Sequence, residues 1–370
     1  MTGLTVIGAS ARAPAQSAAR GALRPYWIDC FGDRDLAGAW PGSRIAPGAF
    51  PGALGAALAQ APMQPWMFGA PIENDPEILD ALARLRPLAG NDAGTCAAVR
   101  DPQRLAAAFD ADGIARPEIA TGPRAGRWIA KPRASHGGIG VRAWTPGMPF
   151  DPHREFLQAR IDGPPVAGLF LGDGRDACFV GVTAQIVGDA AFGAAGFIYC
   201  GSIGPLRCPV RQLPRWRAIG SSLARRFALR GLFGVDAILH RGVPIPIEVN
   251  PRYTAAVEVH ERAGQPPLVP LHLDACAGRL PVMTFRAPAR CAGKAYVFAP
   301  CTLVAPGGDA WIDTRWQADL PAAGQRIEAG APIVTVFGRG RDAAECLAVL
   351  RARARRILRH LLPPHETGSE

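Results

Sequence analysis

"PIPIEVNPRYT", residues 244–254, sets three polar side chains into an otherwise apolar strand: Glu248, Asn250 and Arg252. Successive side chains of an extended strand point to opposite faces, so these three share one face, roughly 7 Å apart, while Ile247 and Val249 take the other. Hard Mg2+ takes oxygen ligands, usually one or two carboxylates together with substrate phosphates. Glu248 and Asn250 offer such oxygens side by side.

The preceding residues supply a partner strand. "LFGVDAILHRGVPIPIEVN" (232–250) reads as a β-hairpin around Arg241-Gly242, with Asp236 on its first strand. Directly opposed residues of an antiparallel pair share a face. A two-residue loop puts Asp236 opposite Ile247, on the wrong face. A three-residue loop, Arg241-Gly242-Val243, puts it opposite Glu248. We therefore expect the longer loop and an Asp236–Glu248 pair, which with Asn250 makes a metal-binding face. The rival reading is a polar hairpin facing solvent, and the apolar residues around the triad count against it.

Upstream, "KPRASHGGIGV" (131–141) places a lysine at the end of a strand, followed by a glycine-rich loop. Such loops let backbone N–H groups approach a phosphate while the lysine adds a point charge. The G-x-x-x-x-G-K-[ST] phosphate loop is absent. The rival here is a surface hairpin with a solvated lysine. Lysines are very few among the 41 basic residues, which argues against decoration.

The 370 residues predict two or three domains. Hydrophobic residues at 48% and charged residues at 19% describe an ordinary globular chain and exclude disorder. The net charge of +10 comes from scattered arginines, with one dense run, "RARARRILRH", from Arg351. No aromatic–basic interleaving accompanies it, so no nucleic-acid partner is expected. Nine cysteines without a C-x-x-C pair predict reduced thiols and a cytoplasmic setting. The opening "MTGLTVIGASARAP" lacks the basic start of a signal peptide. The weakly charged run 177–206 is interrupted by six glycines and a proline, so two buried strands joined by a turn are expected there, not a membrane span.

Along the chain, "LTVIGASAR" and "RPYWIDCFGDRDL" open a βαβ layer. Gly8 stands alone, without G-x-G-x-x-G, so a dinucleotide site is not expected. Residues 76–113 read as helices, two of them starting at Asp-Pro. "GRWIAKPR", "REFLQARIDG" and "DACFVGVTAQIVGD" read as strands. Residues 214–231 read as a helix ending at Gly231, and "RDAAECLAVLRARARRILRHLL" as a closing amphipathic helix.

The lysine-and-glycine loop, followed roughly a hundred residues later by "GVDAILHRGVPIPIEVNPR", resembles the ATP-grasp superfamily over about residues 1–280. The resemblance implies an ATP-grasp fold, α/β and α+β. A Rossmann-like pre-ATP-grasp domain (1–92) would precede an ATP-grasp domain (93–280) of two subdomains hinged near 158–163. A small C-terminal β-rich segment with a helix (281–362) and a tail (363–370) would follow. It implies ATP and Mg2+ as cofactors. Lys131 would contact the α- and β-phosphates, with Ser135, His136, Gly137, Gly138 and Gly140 closing over them. Gln158, Ala159 and Ile161 would form the hinge that meets adenine. Asp236, Glu248 and Asn250 would hold one or two Mg2+, and Arg252 would steady the γ-phosphate or an acyl-phosphate, making Arg252 and Lys131 the catalytic cations.

Three positions depart from the family's pattern. Pro102 stands where a second ATP-binding lysine is usual, with Arg100 and Arg104 nearby. Ala159 replaces the hinge glutamate, and the acid expected on the ribose is absent unless Asp162 serves. The implied chemistry is ligation: a carboxylate attacks the γ-phosphate, and an amine then displaces phosphate from the acyl-phosphate, leaving ADP and an amide. No nucleophilic Ser, Cys or His is needed. For His136, a phosphate contact and a solvated loop position stand equally; for His260, a polar helix contact is the rival. "GFIYCGSIGP" (196–205) resembles the border of the family's acceptor pocket, so Tyr199 and Ser202 are either substrate contacts or hydroxyls satisfied inside a strand. The opening "GASAR…DCFGDRDL" is similar to a subgroup of carboxylate–amine ligases linked to methanopterin and methanofuran one-carbon metabolism, among them tyramine–glutamate ligase. The implied partners are small-molecule acids and amines; apolar edges of the Rossmann-like layer make a homodimer the expectation, with no membrane partner. The other functional reading is a ligand-binding or scaffold subunit that kept the fold without the activity.

Overall fold

Apolar strands buried on both sides build the first layer, as a parallel sheet covered on two faces requires. In the computed structural model, which describes residues 2–282 and 290–362, β1 (Gly3–Ile7), β2 (Arg24–Asp29), β3 (Gly42–Arg44) and β4 (Trp66–Phe68) pair in parallel in the order β3-β2-β1-β4. The helix Arg12–Arg20 makes the crossover between β1 and β2. This is the Rossmann-like layer expected from the opening residues. The expected tail, 363–370, lies outside the described residues, as do 283–289 within the C-terminal segment.

Two antiparallel sheets follow. The smaller has the order β5-β8-β6-β7, from β5 (Ile119–Ala120), β6 (Trp128–Pro132), β7 (Arg142–Trp144) and β8 (Glu155–Ala159). The larger begins with β9 (Pro165–Asp173), β10 (Ala177–Val187), β11 (Tyr199–Gly204), β12 (Arg230–His240) and β13 (Val243–Asn250). It continues through β14 (Cys291–Phe298), while β15 (Leu303–Val304) and β17 (Arg326–Ile327) form a separate two-stranded ribbon flanking β16 (Gln317–Ala318) in sequence. With β18 (Pro332–Gly340) the large sheet reads β13-β12-β9-β10-β11-β14-β18-β16. The C-terminal strands thus extend the sheet that carries the Asp236–Glu248 hairpin. Its core includes Phe170 stacked on Phe233 at 5.1 Å and Phe179 on Trp216 at 5.9 Å, under the helix Leu213–Phe227. No helix among the described residues is long and apolar enough to cross a membrane.

A buried ionic network joins the layers. Arg12 donates twice to Glu258, at 2.7 and 2.9 Å, and twice to Asp319, at 2.6 and 3.2 Å. Lys294 on β14 donates to Glu258 at 2.8 Å. Buried charges are tolerated only when each finds such partners, because desolvation otherwise dominates. The cations hold the Glu258 carboxyl well below its ordinary range against the opposing pull of burial.

Two expectations are corrected. The helix beginning near Pro214 ends at Phe227, with Ala228 left-handed at φ 53°, and Gly231 already lies in β12. Gly231 has a strand role instead: its φ is +69°, and a Cβ there would stand 2.2 Å from Nδ1 of His272. That nitrogen accepts the Leu232 N–H at 2.8 Å. The second correction concerns the hairpin. Asp236 does oppose Glu248, but the loop has two residues, Arg241 and Gly242, with His240 opposite Val243. The missing residue of register is a β-bulge: Ala237 pairs with Pro246 and Asp236 with Glu248, leaving Ile247 extra. The strict alternation expected along 247–250 therefore breaks at Ile247.

Gly231→Ala should destabilise the fold by about 3 kcal/mol, from left-handed strain plus displacement of His272. A urea titration reads this as a lower midpoint; an unchanged midpoint would show that His272 yields freely.

Candidate functional site

The bulge turns the Ile247 carbonyl out of the strand ladder. Two side chains of the small sheet meet it: Lys131 Nζ donates at 3.2 Å and Gln158 Nε2 at 3.0 Å. Lys131 comes from the end of β6 and Gln158 from β8, which are paired neighbours. The one carbonyl therefore fixes the small sheet against the hairpin. Burial lowers the Lys131 pKa, while Glu248 and Asp236 pull it back up.

On the hairpin face, Asp236 and Glu248 stand opposite each other. Removal from water raises the Asp236 carboxyl well above its ordinary value, and Glu248 adds to the rise. Gln185 donates to Asp236 Oδ1 at 2.9 Å, and Asn250 presents its amide nitrogen to Oδ2 at 3.4 Å. The Asn250 oxygen instead accepts from Arg252 Nη2 at 3.0 Å. The two carboxylates are hard oxygens of the kind Mg2+ takes together with phosphates, whereas the Asn250 oxygen expected beside them is engaged by Arg252. A cation beside Asp236 would favour its ionised form and offset the repulsion from Glu248. Among the described residues, no group of three or more His, Cys, Asp or Glu side chains gathers as a metal site. Substrate phosphates would have to complete the shell.

Arg252 is anchored before any ligand arrives. Its Nε donates to Glu73 Oε1 at 2.5 Å and its Nη1 to the Tyr253 carbonyl at 3.1 Å. Glu73 was not singled out from the sequence. It follows β4 in the buried turn Ile72–Asn74, and its partner Arg252 lies 179 residues away. Arg100 Nη1 stands 3.8 Å from the same oxygen, and its Nη2 donates to the Ser135 carbonyl at 3.0 Å.

A cleft opens between the helices of residues 93–111 and the two sheets. Leu105, Phe109, Ile119 and Phe156 form its apolar wall, and Lys131, Gln158 and Glu248 its polar floor. Ser135, His136 and Gly138 line it from the glycine loop, and Gly137 and Gly140 belong to the same turn. Burial, with Arg252 and Arg100 nearby, holds His136 below its ordinary value despite Glu73. Arg100 and Pro102 line the cleft, as do Arg116 and Arg133, two arginines that carried no sequence signal.

Several expected residues fall elsewhere. Arg104 is exposed outside the cleft, because it sits in the first turn capped by Asp101. Asp162 does not reach toward a ribose; its carboxylate pairs with Arg127 at 2.9 and 3.0 Å on the surface. Ala159 and Ile161 are not among the lining residues, and the Ala159 N–H is already given to the Glu118 carbonyl at 2.8 Å. Of the expected hinge, Gln158 alone faces the cleft. Tyr199 and Ser202 share a hydrogen bond of 2.7 Å in buried surroundings. Both ring nitrogens of His260 are buried without a hydrogen-bond partner, and burial pushes its pKa down to about 4.

Residues 101–256 match the family model of the ATP-grasp domain. The chain has an ATP-grasp fold. Solved structures superpose along nearly its whole length. Biotin carboxylase from Campylobacter jejuni, in complex with β,γ-ATP, shares 13% identity at a TM-score of 0.72, covering 97% of this chain and 91% of that one. Phosphoribosylamine–glycine ligase from Thermotoga maritima shares 13% at 0.69, covering 96% and 97%. L-amino acid ligase from Bacillus licheniformis shares 15% at 0.66, covering 96% and 98%. At these identities the likeness is one of fold. No curated protein matches the sequence.

The glycine loop of this fold is docked tightly. The Tyr199 N–H donates to the Gly137 carbonyl at 2.9 Å, and a Cβ on Gly138 (φ +81°) would fall 1.9 Å from the Phe197 carbonyl oxygen. Gly138→Ala must therefore release the loop. We expect faster tryptic cleavage at Arg133 and Arg142, which flank it, in the variant than in the wild type; equal rates would show that the loop is not held at this contact.

Proposed function

We propose that this chain is an ATP- and Mg2+-dependent ligase that joins a small-molecule carboxylate to an amine through an acyl-phosphate. The observation that carries the reading is the Ile247 carbonyl, which draws Lys131 beside the paired carboxylates Asp236 and Glu248. That arrangement supplies a cation for phosphate oxygens and an oxygen set for Mg2+ in one place. Bound Mg2+ would neutralise charge on the transferred phosphoryl group. Asp236, Glu248 and, with its amide turned, Asn250 would hold it. Lys131 and Gln158 orient the floor of the cleft, and the apolar wall suits an adenine ring. Arg252, tethered to Glu73, is positioned for the charge that develops beyond the metal. The substrate carboxylate oxygen attacks the γ-phosphorus and ADP departs; the amine then attacks the acyl carbon and phosphate departs with the oxygen. No protein nucleophile takes part.

The likeness to carboxylate–amine ligases supports an amide product. The resemblance of the opening residues extends the proposal to one-carbon cofactor assembly, in the cytoplasm, by a homodimer. A coupled assay with ATP, Mg2+ and panels of acids and amines tests the chemistry. Release of ADP and phosphate that requires both substrates supports it; AMP and pyrophosphate would contradict it. Asp236→Asn and Glu248→Gln should each lower turnover by about 100-fold or more.

One observation favours the second reading, a binding or scaffold subunit. Pro102 lines the cleft where a lysine is usual, so the nucleotide loses a charge-assisted contact. Pro102 occupies the first turn of its helix, where Asp101 already caps the N–H groups, and a lysine fits there without strain. Pro102→Lys should tighten ATP binding by about 10-fold, the worth of one charged hydrogen bond. Calorimetry showing no change would place the phosphates away from this position.

A further inference from the structure

The hairpin that carries Asp236 and Glu248 has a second end. Its turn, Arg241-Gly242, takes two left-handed residues, at φ 48° and +80°. Asn and Gly adopt that backbone most readily, so an arginine in the first position stands against local preference. Gly242 lies roughly 13 Å along the strand from Pro246, where the cleft lining begins on this hairpin.

Two nitrogen donors from another element converge on the turn. A Cβ placed on Gly242 would stand 3.7 Å from Arg211 Nη2 and 3.9 Å from Gln212 Nε2. Both residues belong to the short turn Val210–Gln212 that leads into the helix Leu213–Phe227. Gln212 is only 6% exposed, and its Oε1 faces the Cys208 thiol at 4.0 Å. Its Nε2 is therefore directed the other way, toward the hairpin. No acceptor among the described residues takes a hydrogen from it, and it is not among the unpartnered atoms sealed from solvent. Such a donor calls for an acceptor from outside the chain. The helix begins here without a side-chain cap or an acid in its first turn, so the positive end of its dipole adds to the same field. At its far end Arg225 and Arg226 share Asp112. By contrast, no carboxylate among the described residues pairs with Arg211 or Arg241. Asp162 reaches this end of the hairpin through its carbonyl, 2.7 Å from His240 Nδ1, but its carboxylate is engaged by Arg127.

The unmet groups describe their occupant. All are donors, and two are guanidinium cations. A cation finds nothing to bind. A carboxylate brings one charge and two oxygens. A phosphate group brings nearly two charges and three terminal oxygens, enough for Arg211, Gln212 and Arg241 together. We propose that the hairpin turn, with Arg211 and Gln212, forms a phosphate-binding site outside the cleft, taking orthophosphate or the phosphate of a small monoester. The site does not rest on the ligase reading. Its occupant would bridge 211–212 to 241–242 and fasten the end of the hairpin remote from the Asp236–Glu248 pair.

Calorimetry on the full chain, without nucleotide, tests the site with orthophosphate, glycerol phosphate and acetate as probes. Lys131, Arg116 and Arg133 line the cleft, so variants decide where the anion sits. Arg211→Gln and Arg241→Asn should each weaken phosphate binding by about 10-fold or more, whereas Arg133→Gln, which alters the cleft, should leave it unchanged. Asn suits the left-handed turn, so Arg241→Asn removes the charge while its thermal midpoint equals or exceeds that of the wild type. The tighter of the two phosphates tells whether the source is free or esterified, and either supports the site. Absence of phosphate binding at millimolar concentration overturns the proposal and leaves water on Gln212. Binding that survives both arginine variants, or that Arg133→Gln removes, overturns it by placing the anion elsewhere. Acetate binding as tightly as phosphate overturns the choice of a dianion.

Discussion

A single backbone carbonyl, that of Ile247, ties the small sheet to the hairpin of the large one. In a regular hairpin closed by Arg241-Gly242, that carbonyl would belong to the strand ladder and Asp236 would face Ile247. The extra residue changes both at once. It moves Glu248 opposite Asp236, and it frees a carbonyl for Lys131 and Gln158 on a different sheet. A buried carbonyl without a partner is costly, and a buried ammonium without one more so. Each removes the other's penalty, so the alignment of the two sheets and the gathering of the polar cleft have one cause.

The features legible in sequence are local ones. Asp-Pro at 75–76 and 101–102 marks helix starts because proline suits the first helical turn, and Asp101 also caps its own helix. The glycines of 137–140 mark a turn because other residues avoid its backbone angles. The Asp236–Glu248 pairing was legible as a parity: one residue had to be inserted between them. Where it goes was not, because a longer loop and a bulge satisfy the same parity and differ only in tertiary contacts. Glu73 was invisible for a related reason. Its meaning comes from Arg252 and Arg100, far along the chain, and nothing in "PIENDP" announces them. Arg104 and Asp162 were read from proximity in sequence, and the fold turns both outward.

The charge of the chain has a structural use that its sign obscures. Only two lysines are present, Lys131 and Lys294, and both are buried. One serves the cleft. The other belongs to the Arg12–Glu258–Asp319 network, which binds the opening layer to the large sheet. Arginine supplies the remaining positive charge, much of it in surface pairs of little individual worth. A basic composition here accompanies internal ion pairing and a cleft lined by Arg100, Arg116, Lys131 and Arg133.

The central claim is that the Ile247 carbonyl assembles the cleft proposed to hold the nucleotide. Deleting Ile247 tests it directly, because the shortened strand keeps Ala237 opposite Pro246 and Asp236 opposite Glu248 while removing the bulge. Calorimetric titration of ATP with Mg2+, on variant protein whose circular dichroism matches the wild type, is the measurement. The account predicts that the wild type binds and the deletion variant loses binding by about 10-fold or more, as Lys131 and Gln158 lose their anchor. Equal affinity in the two proteins would contradict it.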